Sequence, residues 1–153
     1  MTARAQSRTM AQTAALVVGV VFLLVGILGF IPGITTNYGD MTFAGHDSGA
    51  ELLGIFQVNV LHNIVHLLFA VGIFMARTHS SAVTYLIGGG IIYAVVWLYG
   101  LAIDLDSTAN FISLNRADNW LHLALAVGMV GLGVLFARPR DTEGDGRARA
   151  GAV

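Results

Sequence analysis

Four apolar runs separated by polar stretches set the pattern of this chain. The first, Ala14 to Pro32, holds 19 residues without a charge, close to the roughly 20 helical residues that cross a hydrocarbon core. Arg4 and Arg8 precede it. The run is longer than the ~7–15-residue core of a signal peptide and no small-x-small cleavage site follows, so it reads as an uncleaved helix ended by Pro32-Gly33. Residues 33–50 are polar and glycine-containing and read as a loop. Apolar character resumes at Leu52 and lasts 25 residues to Ala76, so its early part is expected to tilt or lie at the interface. After the turn Arg77-Thr-His-Ser-Ser comes a third run, about Ala82 to Ile103. Its Gly88-Gly89-Gly90 allows close helix approach, as do Gly19 and Gly26 on the first helix, and Tyr93, Trp97 and Tyr99 predict an interfacial aromatic belt. Residues 104–118 form a second polar loop, partly helical along the surface. The fourth run is Asn119 to Ala137, with Asp118 or Asn119 as helix N-cap and Trp120 as an interface anchor. The pattern predicts an all-α integral membrane four-helix bundle with helices over about 14–32, 52–76, 82–103 and 119–137, an N-terminal segment 1–13 and a disordered tail 138–153.

Composition sharpens this. Hydrophobic residues make up 56% and charged residues 11% of the chain, where soluble domains carry about 25% charged residues. Cysteine is absent, which excludes disulfides, thiolate metal sites and cysteine nucleophiles. A net charge of −1 gives no basic surface for nucleic acid. Arg4, Arg8, Arg77, Arg138, Arg140, Arg147 and Arg149 fall on one side of the predicted crossings and Arg116 alone on the other. By the positive-inside rule both termini are cytoplasmic. Asp40, Asp47, Glu51, Asp104, Asp106 and Asp118 then face outward.

The candidate chemistry sits inside the second run. Asn59, His62, Asn63 and His66 are spaced i, i+3, i+4 and i+7, one face of a helix. The segment Asn63-x-x-His66-Leu-x-x-Ala-Val-Gly is echoed by Asn119-x-x-His122-Leu-x-x-Ala-Val-Gly, which suggests two helical-hairpin repeats about an axis along the membrane normal; the first and third helices show no clear match. Counted at 1.5 Å per residue from the arginine anchors, His66 lies about 16 Å in and His122 about 24 Å in, with His62 near the depth of His122. Ionisable groups at such depth should face the bundle interior, so the cluster Asn59, His62, Asn63, His66, Asn119 and His122 is expected between the second and fourth helices. Four readings compete: interhelical hydrogen-bond glue, at about 0.6–2 kcal/mol per bond; a metal or haem site on His62, His66 and His122; a proton or solute path through His66, His62 and Asn59; and something unforeseen. Glue is the leading one, so no cofactor is required, with haem or a divalent metal as the alternative. His46 and His79 read as solvated, and Asp104 and Asp106 as a hydrated helix end. No phosphate loop, nucleophile elbow or His-Glu-x-x-His occurs, so an enzyme is not expected.

The segments Leu52 to Leu67 and Ala117 to Leu123 carry a resemblance. With Phe56, Val58, Asn59, His62, Asn63 and His66 in one and Asn119 and His122 in the other, the chain resembles, over roughly residues 14–137, a family of small four-span bacterial membrane proteins catalogued only as a domain of unknown function. Members often have proline after the first asparagine of the motif; Val60 stands there in this chain, so no kink is implied. The resemblance implies a multi-pass protein of the bacterial cytoplasmic membrane. The expected function is a non-enzymatic structural or accessory component of a larger membrane assembly or a homo-oligomer.

Overall fold

The computed structural model describes residues 7–138; Arg4, Arg140, Arg147, Arg149 and the predicted disordered tail after Arg138 lie outside the described residues. Helix α1 spans Met10–Leu28. It starts before the apolar run because Thr9 and Gln12 form a capping box, each side chain bonded to the other's backbone N–H. It stops at Leu28 rather than Pro32. Gly29 is the C-cap, and the chain turns tightly through Phe30 and Ile31 ahead of a proline, where helical backbone is disfavoured.

The second predicted helix begins eight residues later than its apolar run suggests. Leu53 and Gly54 have φ of 57° and 68°, a left-handed turn that folds this stretch back on itself. Strands β2 (Glu51–Leu52) and β3 (Phe56–Gln57) flank that turn, and β1 (Thr35–Thr36) joins them in an antiparallel sheet of order β1-β2-β3. Thr35 faces Leu52, and Leu52 faces Phe56. Ala50, Leu52 and Val58 fill a small core beneath the sheet, against Val25 and Leu28 of α1. Hydropathy alone reads these residues as membrane helix because they are buried under a lid.

The second crossing is then α2 (Val60–Phe69) followed by the single turn α3 (Gly72–Met75). At the junction Ala70 and Val71 bond three residues back, and the Tyr85 hydroxyl donates to the Phe69 carbonyl at 2.8 Å, which supplies a partner for a backbone group near the break. Helices α4 (His79–Ala102) and α5 (Arg116–Leu135) complete the bundle. Three helices, α1, α4 and α5, are long and apolar enough to cross a membrane, and Val60–Met75 is a shorter apolar one. No helix precedes Arg116 in the second loop, and Asn115 rather than Asp118 or Asn119 is the N-cap of α5. Asp118 instead completes a capping box with Asn115.

Side chains are arranged inside out. Val17, Leu24, Leu68, Phe74, Val95, Leu98, Val127 and Leu135 are exposed, whereas Asn59, Asn63, Asn119 and the three motif histidines are buried. Such a surface has no favourable solvent in water and suits acyl chains. Packing is by close backbone approach: Gly19 abuts Gly72 and Ile73, Gly26 abuts Leu67, Gly89 abuts Met129 and Gly90 abuts Val130, while Gly88 faces open space. Tyr93 is 3% exposed. It belongs to the core and not to an interfacial belt, because it shares a helix face with Gly89 and Gly90.

Candidate functional site

Each motif helix starts on an asparagine. Asn59 Oδ1 accepts from His62 N at 2.8 Å, and Asn115 Oδ1 accepts from Asp118 N at 2.9 Å. The echo between the halves therefore reaches back to the caps, matching Asn59, His62, Asn63 and His66 with Asn115, Asp118, Asn119 and His122. Caps of this kind are worth about 1 kcal/mol when exposed. Asn59 does more, since its Nδ2 donates to the Gly45 and Phe111 carbonyls from a fully buried position. Asn59→Ala is accordingly expected to lower thermal stability in detergent more than Asn115→Ala, by about 2–3 kcal/mol against about 1 kcal/mol. Equal midpoints by circular dichroism would show that the outer loops contribute nothing.

The six predicted residues are all buried, but they divide by residue type. Asn59 reaches across to the second loop through the Phe111 carbonyl, whereas Asn63 and Asn119 pack within their own hairpins. Asn63 lies against Gly29 of α1, and Asn119 lies against Gly100 of α4, with Nδ2 donating to the Gly100 carbonyl at 3.0 Å. The histidines meet across the hairpins. One ligand atom each from His62, His66 and His122 lies within 4.8 Å of the others. The His62 and His66 ring centroids are 4.5 Å apart and those of His62 and His122 6.0 Å apart. Nitrogens this close exclude the roughly 8 Å difference in depth between His66 and His122 expected from counting. Part of the reason is the tight turn at Ala70–Val71, which rises about 2.0 Å per residue rather than 1.5 Å.

Three aromatic rings line the cluster on its inner side. Phe22 lies 5.9 Å from His66 and stacks on Tyr93 at 5.4 Å with 12° between the planes. Tyr93 lies 5.3 Å from His122, and Phe69 packs on both Phe22 and Tyr93. Ile112, from the second loop, and Ile92 and Val96 of α4 help enclose a cavity of about 50 Å³ beside the three imidazoles. Water occupies about 30 Å³ in the liquid. The cavity is thus on the scale of a few water molecules.

Unpartnered polar atoms occur among the asparagines and the histidines alike: both carboxamide atoms of Asn63 and Oδ1 of Asn119 are buried without a partner among the described residues. The Nδ1 atoms of His62, His66 and His122 and the hydroxyl of Tyr93 are all buried without a hydrogen-bond partner. Buried polar groups are nearly always partnered, and an orphan costs about 1–3 kcal/mol. Among the described residues, one ligand atom each of His62, His66 and His122 lies close enough to the others that the three could hold an ion, and imidazole suits zinc, copper, nickel or iron(II). Tyr93 was not among the residues expected here. Its signal was the small-residue face of α4, hidden by its neighbours Trp97 and Tyr99.

The remaining histidines lie elsewhere. His46 pairs with Asp47 at 2.9 Å in the outer loop. His79 is not simply solvated, since it is half-buried; its Nε2 donates to the Ala137 carbonyl at 3.2 Å, which leaves Nδ1 to accept from the Thr9 hydroxyl at 3.1 Å. It ties the start of α1, the start of α4 and the end of α5 together. Arg8, Arg77 and Arg138 therefore gather at one end of the bundle and Arg116 at the other.

No curated protein and no solved structure matches this chain at a significant level. One family model does, described as Domain of unknown function (DUF4383), over residues 12–135. That span takes in nearly all of the helical bundle, both asparagine caps and the three converging histidines, and the chain belongs to this family.

Proposed function

We propose that this protein is a non-enzymatic, multi-pass component of the bacterial cytoplasmic membrane that holds one divalent transition-metal ion on His62, His66 and His122. The observation that carries the reading is the approach of one imidazole nitrogen from each of three buried histidines to within 4.8 Å of the others. Bond lengths of 2.0–2.1 Å to a tetrahedral ion need the nitrogens about 3.4 Å apart, a closure that small ring rotations supply. Tyr93 or a water molecule would take the fourth position. The gathering of Arg8, Arg77 and Arg138 supports cytoplasmic termini.

A second reading, an accessory subunit whose cluster is only interhelical glue, is favoured by the hydrogen bonds of Asn59 and Asn119. One experiment separates the two. Protein purified in mild detergent without chelator should carry close to one equivalent of zinc or copper by elemental analysis, and stripped protein should rebind one equivalent with a rise in unfolding temperature. Metal-free material that neither binds nor gains stability, yet co-purifies with a larger assembly, would leave the accessory-subunit reading standing alone.

A further inference from the structure

At the opposite end from the sheet, a second cavity of about 570 Å³ opens between the start of α1, the α3–α4 turn and the start of α4. Its rim carries Arg8, Arg77 and His79, and its deeper wall is formed by Leu16, Ile73 and Ala76. The Arg77 guanidinium lies 5.3 Å over the Phe74 ring, and Phe74 is itself exposed on the apolar surface. Neither arginine has a carboxylate within ion-pair distance among the described residues, where the one ion pair is His46 with Asp47. The acidic residues of the described chain lie in the outer loops and at the start of α5, at the other end of the bundle. Two arginines thus line a cavity that is walled in part by Leu16, Ile73 and Ala76, with no carboxylate in ion-pair distance of either among the described residues.

We propose that this cavity binds the phosphate of an anionic phospholipid, with Arg8 and Arg77 on the phosphodiester and the upper acyl chains along Leu16 and Ile73. Guanidinium groups bind phosphate oxygens in pairs, and basic pockets between membrane helices at this level take acidic head groups. The apolar wall favours a lipid over free phosphate, which has no use for it. The inference rests on membrane immersion of the bundle and is independent of the histidine site.

The test is lipid exchange on the full chain. Delipidated protein in neutral detergent is offered phosphatidylglycerol, phosphatidylcholine or inorganic phosphate, and bound lipid is read by native mass spectrometry. Phosphatidylglycerol should be retained in preference to phosphatidylcholine. In R8Q/R77Q that preference should fall about tenfold or more, as expected for two arginines near a lipid surface, while R116Q keeps it. Metal content at His62, His66 and His122, or the unfolding midpoint if no metal is bound, reports that R8Q/R77Q is folded. Equal retention of the two lipids, or an undiminished preference in R8Q/R77Q, would overturn the assignment. Displacement of phosphatidylglycerol by millimolar inorganic phosphate would overturn the lipid in favour of a free anion.

Discussion

Changing His122 to alanine is expected to weaken metal binding by more than about 100-fold. Groups that merely orient a ligand are worth about 10–100-fold, and His122 would be a ligand itself. It alone comes from the second hairpin, so its loss leaves His62 and His66 as a bare i, i+4 pair. His66→Ala should cost a similar factor. Tyr93→Phe should cost less, because water can replace a phenol in the fourth position. The pattern across variants is the useful part. If the rings were only packing, H122A would lower stability equally with and without added metal. If they hold an ion, H122A should leave the metal-free midpoint within about 2 kcal/mol and abolish the metal-dependent rise. A metal-dependent rise that survives in H122A would rule out the three-histidine site.

The second large effect belongs to two glycines. At Gly29 and Gly100 an added Cβ would run into the Asn63 and Asn119 carboxamides respectively, and both amides are walled in by the bundle. Overpacking costs about 1–3 kcal/mol, and pushing Asn119 away also removes its bond to the Gly100 carbonyl, one of the otherwise unpartnered carbonyls in the last turn of α4. Gly100→Leu should therefore prevent accumulation of folded protein, and Gly100→Ala should lower the unfolding midpoint sharply. Gly88→Ala is the control, since nothing lies near that position, and alanine there should be neutral or slightly stabilising. Similar midpoints for G88A and G100A would mean that the asparagine–glycine contacts do not hold the hairpins together.

How far the sequence foretold this arrangement depends on which force acted at each residue. The crossings were legible because transfer into lipid acts on long windows, and burial of all six motif side chains followed from the same cost. Boundaries were not. Leu52 and Val58 are apolar because they fill the small core with Ala50, and hydropathy cannot distinguish a protein interior from a bilayer. Partner choice was not legible either. Asn63 and Asn119 look like members of the histidine cluster by helical spacing, yet each turns to a glycine at the end of the preceding long helix of its own hairpin. The same gap hid the likeness of the first and third crossings. Once coordinates align them, Ala11, Gly19, Phe22 and Gly29 of α1 match Ala82, Gly90, Tyr93 and Gly100 of α4, every one of them buried. Small residues at these intervals carry little pattern until their contacts are known.

That correspondence explains why an even-numbered architecture ends with an odd-numbered set of rings. Two related halves place four side chains at matching sequence positions, His62 and His66 in one and Asp118 and His122 in the other, and of these Asp118 alone is not in the lining of the cavity. Asp118 is already engaged with its own helix start, where its carboxylate accepts from the Asn115 N–H at 2.9 Å. The dyad is broken there, and the set of converging rings stops at three.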